Sequence, residues 1–395
     1  MKKVVLAYSG GLDTSVAIPW LGDQGYEVYA VAIDVGQGGD LPAAVARAKA
    51  LGAVDARAID ARQEFARDFA FAALKMNALY QGRYPLVSAL SRPLIARLLI
   101  DVVEQVGADA VAHGCTGKGN DQVRFEVSLA ALAPDVEVLA PVRDWGMTRA
   151  DTIAYAESRS LPITTTKSSP YSVDENLWGR SIECGVLEDP WAAPPDDIFA
   201  STAAAADAPG EPLDIQIGFE RGIPVSVDHE MLDPVALVDA LEKKVGAYGY
   251  GRVDIVEDRL VGIKSREIYE APAALALIAA HADLEALTLE RAVAREKRSL
   301  DARWADLVYE GLWFSPLKEA IDAFADTTQR HVTGDVRLRI TAGGCLVTGR
   351  RSPESLYDLE LATYDEGDSF DQSDAVGFVK LWGLPSKVHA RRARS

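Results

Sequence analysis

The sequence predicts an α/β protein with an N-terminal doubly wound parallel sheet, a following α+β domain, and a C-terminal helix with a tail. Two observations lead to this prediction. In the first part of the chain, short apolar runs alternate with helical segments, which is typical of a parallel sheet covered on both faces. Further along, apolar runs pair as hairpins between helices. The 395 residues suffice for more than one core, and we predict domains over 1–165, 166–365 and 366–395.

Five strands are predicted in the N-terminal domain. They are Val4–Ala7, Glu27–Val35, Asp55–Asp60, Ala108–His113 and Val136–Leu139. The predicted helices around them are Val16–Gln24, Leu41–Leu51, Glu64–Asn77, Leu94–Val106 and Arg149–Ser158. Because ligands of open parallel sheets bind outside the carboxyl ends of the strands, the segments after the first and fourth strands should share one edge.

The second domain is predicted to begin near residues 161–167, where the pattern changes. A polar stretch, Thr164–Pro170, and a proline-rich stretch, Pro190–Pro212, predict turns and a long surface loop. Hairpins are predicted around Glu220-Arg221-Gly222 and Ala342-Gly343-Gly344. The other predicted elements are strands Arg252–Val256 and Arg259–Ile263, helix Ala236–Val245, a helical region Ala273–Ser299 broken near Ala282-Asp283, and helical Trp304–Phe324 broken at Pro316.

The last segment is amphipathic from Ala375 to Trp382 and ends in the basic sequence VHARRARS. It predicts a helix and tail outside the compact domains. Terminal apolar helices often pack on a neighbouring subunit, so we predict an oligomer contact here. The alternative is a helix that docks on its own domain.

Charge and cysteine content exclude several classes of protein. A formal net charge of −18 argues against binding nucleic acid through bulk electrostatics, so anionic substrates must be captured by local donors. No apolar stretch approaches the roughly 20 residues of a membrane helix, and the N-terminal apolar run is too short for a signal peptide. The three cysteines form no CxxC, and the five histidines show no metal-ligand spacing. We expect a cytoplasmic protein that contacts no membrane. The sequence assigns no metal ligands.

The turn after the first strand has the chemistry of a phosphate cradle. Ser9-Gly10-Gly11 ends the strand, and Asp13-Thr14-Ser15 open the next helix. Adjacent glycines leave backbone N–H groups uncovered, a helix N-terminus adds more of them, and the hydroxyls add further donors. The alternative is an ordinary strand-to-helix turn with an aspartate N-cap.

This loop is neither a Walker A loop nor a GxGxxG fingerprint, because neither spacing occurs there. The pattern SGGxD resembles the pyrophosphate loop of the ATP pyrophosphatases, which cleave ATP between the α and β phosphates. That resemblance implies a Rossmann-like domain of the adenine nucleotide α-hydrolase type.

A second glycine-rich segment, Gly114–Glu126, carries groups suited to an amino acid. Thr116 and Asn120 offer a hydroxyl and an amide, and Arg124 shares a helix face with Asn120 if a helix begins near Asn120. These donors suit a substrate carboxylate, and Asp121 suits an ammonium group. The alternative is a glycine turn in which Asn120 or Asp121 caps a helix.

Taken together, the segments resemble the argininosuccinate synthase family, in that family's order from Ala7 to Ala274. The matching segments are AYSGGLDTS, AIDVGQG, HGCTGKGNDQVRFE, PYSVDENLWGRSIECGVLEDPW and GIKSREIYEAPAA. The resemblance implies a two-step ligation. Citrulline attacks the α-phosphorus of ATP to give citrullyl-AMP and pyrophosphate, and the amine of aspartate then displaces AMP to give argininosuccinate.

The resemblance also assigns roles to residues. ATP contacts are implied for Ala7, Tyr8, Ser9, Gly10, Gly11, Leu12, Asp13, Thr14, Ser15 and Gly114. Aspartate contacts are implied for Thr116, Asn120 and Asp121, and citrulline contacts for Tyr84, Asn120, Arg124, Ser172, Ser181, Glu257 and Tyr269. We take Asp13 and Asp121 as catalytic candidates, near magnesium or its waters or at the aspartate amine. Ala89 stands where many members carry serine, which removes one hydroxyl from the expected site.

Catalysis in such a site should come mainly from positioning and from stabilising charge on the phosphates. ATP would enter with Mg²⁺ bridging phosphate oxygens, and no prosthetic group is implied. The family suggests a homotetramer that acts in arginine biosynthesis and the urea cycle. The alternatives are another synthetase or a tRNA-thiolating enzyme of the same superfamily, and a non-catalytic nucleotide-binding protein, which would not need the second glycine-rich segment.

Overall fold

The computed structural model describes residues 2–147, 149–161 and 170–393. Contacts divide the chain into two compact units, Met1–Glu354 and Ser355–Ser395. The predicted turns over Thr164–Pro170 lie almost wholly outside the described residues, which resume at Pro170.

The first sheet has five parallel strands in the order β3-β2-β1-β4-β5. Their bounds are β1 Lys2–Ala7, β2 Tyr26–Asp34, β3 Asp55–Asp60, β4 Ala110–Ala112 and β5 Glu137–Leu139. The α/β prediction is therefore confirmed. The chain turns one way from β1 to β3 and returns on the other side with β4, so β1 and β4 flank the switch point where such sheets bind ligands.

Both faces of this sheet are covered, as a doubly wound sheet requires. Along β1, Val5 packs into one core, whereas Val4 and Leu6 pack into the other, because alternate residues of a strand face opposite sides. The helical segments in this region are Leu12–Asp23, Leu41–Ala50, Arg62–Glu64, the π-helical Phe65–Ala70, Phe71–Lys75, Val87–Val106, Asn120–Leu132, Pro141–Asp144 and Arg149–Ser158.

Two helices of this domain differ from the sequence prediction. The predicted helix Glu64–Asn77 consists of three segments, in which the π-helical Phe65–Ala70 lies between Arg62–Glu64 and Phe71–Lys75. The predicted helix Leu94–Val106 begins earlier, at Val87, directly after Leu86 in the left-handed region with φ +63°. Pro93 lies inside the helix. Its missing N–H costs one helical hydrogen bond, and the full burial of Leu90 and Leu94 around it offsets that loss.

Two antiparallel sheets follow within the first unit. One has the order β11-β12-β7-β6 and the other β10-β9-β8-β13-β14. Their strands are β6 Ser172–Asn176, β7 Gly179–Glu183, β8 Leu213–Glu220, β9 Ile223–Val227, β10 Glu230–Met231, β11 Arg252–Asp258, β12 Lys264–Glu270, β13 Gly334–Thr341 and β14 Gly344–Arg351. Both predicted hairpins are confirmed.

One prediction in this region is wrong, and one hairpin was missed. Arg259–Ile263 is the turn between β11 and β12, closed by the hydrogen bond from the Arg259 N–H to the Ile263 carbonyl, 2.8 Å, and the strand begins after it. The hairpin of β6 and β7 was not predicted, because its strands carry charged and polar residues on both faces.

The helical part of the second domain also breaks at a different place. The helices are Pro234–Gly246, Pro272–Thr288, Arg291–Tyr309 and Pro316–Thr328. The break falls at Leu289-Glu290 and not at Ala282-Asp283, because Glu290 caps the next helix by accepting from the N–H groups of Ala292 and Val293.

The predicted surface loop Pro190–Pro212 contains two short 3₁₀ turns, Asp196–Ile198 and Ala205–Asp207. Its middle is anchored by the fully buried Glu270, which accepts backbone N–H groups of Ala200, Ser201 and Thr202. A proline-rich sequence therefore forms a fixed strap in which Thr202 is buried.

The C-terminal unit contains the helices Leu359–Ala362, Asp374–Trp382 and Leu384–Arg392. The predicted helix Ala375–Trp382 is thus confirmed as an element. Phe378 and Trp382 stack within it at 5.5 Å between ring centroids, and both are exposed. Among the described residues, no helix is both long and apolar enough to span a membrane.

Candidate active site

The loops after β1 and β4 meet at the switch point of the parallel sheet. A Cβ added to Gly114 would lie 2.7 Å from Cγ2 of Thr14, so only glycine allows this approach. A cleft of about 500 Å³ opens beside them. The sequence predicts both loops at one edge of the sheet, and in the structure the two loops contact each other directly.

The predicted residues that line the cleft fall into two groups, which we call the loop end and the side-chain end. The loop end consists of Ala7, Tyr8, Ser9, Thr14, Gly114 and Thr116. The side-chain end consists of Tyr84, Asn120, Asp121, Arg124, Ser172, Ser181, Glu257 and Tyr269. Five predicted residues are not among those that line the cleft: Gly10, Gly11, Leu12, Asp13 and Ser15.

Backbone and hydroxyl groups dominate the loop end. The Ser9 hydroxyl lies 3.1 Å from that of Thr14 and accepts the Gly11 N–H at 3.4 Å. Gly10 has φ +78°, and its carbonyl accepts from Arg47 at 2.8 Å. These contacts fix a turn whose N–H groups open the helix Leu12–Asp23, where the helix dipole favours an anion.

The aspartate N-cap alternative does not hold for this loop. The N-cap is Gly11, which offers no side chain, and Asp13 lies in the first turn of the helix. Ser15 is buried, and its hydroxyl is 3.1 Å from the Tyr8 hydroxyl, so it supports the loop from behind.

At the side-chain end, carboxylates and guanidinium groups compensate one another. Asp121 accepts from Arg92 at 2.7 Å and from Arg124 at 3.0 Å, and Arg92 also reaches Asp174 at 2.6 Å. Burial by itself would raise the pKa of Asp121, but the two guanidinium groups outweigh it and hold that pKa well below its usual range. Asp121 is thus an anion at neutral pH.

Glu257 is the centre of a buried tyrosine cluster. It accepts the hydroxyl of Tyr269 and, at 2.8 Å, the hydroxyl of Tyr309. Burial raises the pKa of Glu257, and the two phenol donors oppose that rise. The ring of Tyr84 stacks on that of Tyr269 at 4.1 Å, which completes an apolar wall with polar tips.

Ala89, where many family members carry serine, lies in the core and not in the cleft. Ala89 is 1% exposed and packs in the main hydrophobic core, whereas the neighbouring Ser88 lines the cleft. The Ser88 hydroxyl lies 3.5 Å from that of Ser181. The missing hydroxyl therefore leaves the observed lining of the cleft unchanged.

Several residues of the site were not predicted from the sequence. Arg92, Asp174, Glu183, Arg259 and Glu267 all line the cleft. Arg259 bridges Glu183 and Glu267 (2.6 Å to Glu267), and burial together with Glu183 raises the pKa of Glu267. Arg92 lies in the segment SRP and is the one charged residue between Val87 and Ala96, a signal that could have singled it out.

Cys115 and His113 lie beside the loop that joins the two ends. Burial raises the pKa of the Cys115 thiol to about 12, so it is a neutral thiol at neutral pH and not a nucleophile. Burial lowers the pKa of His113, whose Nδ1 accepts the Cys115 N–H at 3.2 Å. The histidine thus acts as a neutral support for the loop.

Within the described ranges, no cluster of three or more His, Cys, Asp or Glu side chains could hold a metal ion. The cationic and hydroxyl groups of the cleft are instead suited to anions. An oxyanion at the loop end and a zwitterion at the side-chain end together match the donor set.

A parallel sheet with a glycine-hydroxyl loop at its switch point defines an α/β nucleotide-binding protein of the HUP class, and sequence comparison agrees. A family model for the arginosuccinate synthase N-terminal HUP domain matches residues 3–162, and one for the C-terminal domain of the same family matches residues 171–389. An argininosuccinate synthase from Gloeobacter violaceus is 58% identical over 392 residues, which cover 99% of this chain and 98% of that protein. The chain belongs to the argininosuccinate synthase family and is a ligase.

Among solved structures, a predicted tRNA methyltransferase subunit from Methanocaldococcus jannaschii is 15% identical. The similarity covers 40% of this chain and 75% of that one, with a TM-score of 0.28. This value is too low to support any conclusion about function.

Proposed function

We propose that the cleft ligates L-citrulline and L-aspartate to argininosuccinate at the expense of ATP, through citrullyl-AMP, with release of AMP and pyrophosphate. One observation supports this assignment above the others: the glycine-hydroxyl loop at a helix N-terminus and the charge-compensated side-chain end open into the same cleft. Family membership over both domains supports it as well. The product belongs to arginine biosynthesis.

The loop end is the proposed ATP site. Ala7 to Ser15 and Gly114 would hold the phosphates and the nucleotide, with Ser9 and Thr14 as hydroxyl donors. The first step needs no strong base, because the ureido oxygen of citrulline is neutral, so these donors act by positioning the α-phosphorus and stabilising charge on the leaving pyrophosphate. ATP enters as its Mg²⁺ complex, which belongs to the substrate.

The side-chain end, together with Thr116 of the loop end, is the proposed amino-acid site. We assign citrulline to Tyr84, Asn120, Arg124, Ser172, Ser181, Glu257 and Tyr269, and aspartate to Thr116, Asn120 and Asp121. Asp121 stays ionised between Arg92 and Arg124, so its role is to bind the aspartate ammonium group and not to carry a proton. Asp13 is the remaining candidate for contact with magnesium-bound water.

The other proposals concern the whole molecule. We propose a homotetramer in the cytoplasm, in which the exposed apolar residues of the helix Asp374–Trp382 contact another subunit. Light scattering of the full chain tests this assembly, and a monomer at micromolar concentration would contradict it.

The first experiment measures pyrophosphate release from ATP and Mg²⁺ with citrulline and aspartate added singly and together. We expect sustained release only with both, and equal amounts of AMP and argininosuccinate. ATP consumption that ignores citrulline would leave the pyrophosphate loop in place and point to another synthetase of the superfamily. A nucleotide-binding protein without activity would bind ATP and release nothing.

A further inference from the structure

Tyr309 lies directly behind the residues that line the side-chain end. It is the last residue of the helix Arg291–Tyr309 and is 1% exposed. Its hydroxyl contacts Glu257 at 2.8 Å and Asn120 at 2.8 Å, and both of these residues line the cleft. Tyr309 can therefore act on a ligand only through its neighbours.

The hydroxyl of Tyr309 fixes the orientation of the Asn120 amide. An ionised Glu257 can only accept, so Tyr309 donates to it and its oxygen accepts from Nδ2 of Asn120. Oδ1 of Asn120 accepts the Leu260 N–H at 3.0 Å. One N–H of Asn120 is then left for a group in the cleft.

The main chain and ring of Tyr309 hold Arg124 in the same way. Its carbonyl accepts Nε of Arg124 at 3.0 Å, and the guanidinium lies 4.8 Å from the ring centroid, within cation–π range. Nη1 of Arg124 donates to Asp121. Nη2 hydrogen-bonds to none of the described residues, so it is the donor that remains for a ligand.

We infer that Tyr309 is the positioning residue of the side-chain end: it aims the remaining donors of Asn120 and Arg124 at a carboxylate and holds the Glu257 carboxylate opposite an ammonium group. This arrangement selects a zwitterionic α-amino acid. The inference rests on the proposed function and deepens it, because it names the residue that sets the citrulline geometry.

The arrangement also predicts how citrulline binding depends on pH. The titratable groups that face Glu257, besides the donors Tyr269 and Tyr309, are Tyr80, Tyr84, Arg124, Arg259 and Glu267. Burial raises the pKa of Glu257, whereas the Tyr309 hydroxyl lowers it. Loss of that hydroxyl should raise this pKa further, so citrulline binding should weaken at a higher pH than in the wild-type protein.

The test compares Tyr309→Phe with Tyr80→Phe in the full chain. The two rings stack at 3.5 Å, and the Tyr80 hydroxyl donates to the Asp258 carbonyl at 2.9 Å. Each variant loses one hydroxyl from the same stack. The Tyr309 hydroxyl contacts the lining residues Asn120 and Glu257, whereas Tyr80 meets the lining residue Tyr84 through its main chain, which the substitution leaves in place. We measure kcat, the KM of each substrate, the pH profile of citrulline KM, and Tm.

We expect Tyr309→Phe to raise the citrulline KM roughly tenfold or more, because hydrogen bonds to buried and charged groups are lost. The KM of ATP should change by less than about threefold, since ATP makes no use of these groups. The acidic limb of the citrulline profile should move to higher pH. Tyr80→Phe should change neither the citrulline KM nor the position of the acidic limb.

A citrulline KM within about twofold of wild type in folded Tyr309→Phe, or equal effects in both variants, would overturn the inference. Should Tyr309→Phe not fold, the wild-type protein decides: citrulline affinity that stays constant from neutral pH down to about 4.3, the ordinary pKa of a glutamate, contradicts the role of ionised Glu257, whose pKa lies above that value. If the wild-type protein does not turn over citrulline and aspartate at all, it is the proposed function that fails.

Discussion

At the loop end of the cleft, the ligand-facing groups come from two short loops, whereas at the side-chain end they come from elements far apart in the chain. Ser9 and Thr14 are five residues apart and bond to each other, 3.1 Å. Asn120 and Tyr309 are 189 residues apart and bond at 2.8 Å. The loop end can therefore be identified from a local motif, but the side-chain end exists only after folding.

The two ends also differ in how they tolerate change. Backbone N–H groups at the loop end are insensitive to side-chain replacement but sensitive to steric crowding. At the side-chain end, each charge is compensated by another, so the removal of one leaves its partner without compensation in a half-buried site. Four predictions test this contrast, in order of decreasing effect.

The largest effect is expected for Asp121→Ala. The change removes the proposed ammonium partner of aspartate and leaves Arg92 and Arg124 without their shared carboxylate. Argininosuccinate formation should fall at least about 1000-fold, as expected when a group that binds the reacting amine is lost. Product is measured directly, and Asp121→Asn serves as the isosteric control. Turnover equal to wild type would remove Asp121 from the site.

Arg124→Lys should weaken citrulline binding about 10- to 100-fold, since one ammonium cannot replace the planar fork. Arg124 uses Nε for the Tyr309 carbonyl and Nη1 for Asp121, so lysine loses the geometry of both contacts. The KM of citrulline is the measurement, with the KM of ATP as internal control. An unchanged citrulline KM would count against the pairing with a carboxylate.

Gly114→Ala should crowd the loop end and raise the KM of ATP roughly tenfold, because the new Cβ meets Cγ2 of Thr14 at 2.7 Å and forces it to move. The matched control is Gly117→Ala, whose Cβ would find only Cγ and Cδ of Arg143, at 4.0 Å. Equal KM values for the two variants would show that the close approach of Gly114 to Thr14 has no part in nucleotide binding.

The smallest effect is expected for Ala89→Ser, which restores the hydroxyl found in many family members. The position is 1% exposed in the core, so an unpartnered hydroxyl should cost about 1–3 kcal/mol of stability and lower Tm. The citrulline KM should stay within about twofold. Ser88→Ala, on the cleft side, is the comparison, and a lower citrulline KM in Ala89→Ser would place residue 89 in the site after all.

The packing of the folded chain explains which elements could be predicted from the sequence and which could not. The three central parallel strands were predictable because they contain apolar runs buried on both faces, as Val4, Val5 and Leu6 are in β1. The hairpin of β6 and β7 was not, because its exposure and its charges follow from its place beside the cleft. Arg259–Ile263 looked like a strand because turn residues with apolar character cannot be distinguished locally from a short strand.

The sequence alone determined the α/β class and the family and pointed to the proposed phosphate-binding loop, because each depends on neighbouring residues whose spacing is fixed by the chain. Only the tertiary structure decided that Arg92 and Asp174 complete the charge network around Asp121 and that Ala89 turns away from the cleft. It also placed Tyr309 between Glu257 and Asn120. The physical reason is that compensation of buried charges and orientation of amides depend on side chains that meet only when distant segments pack together.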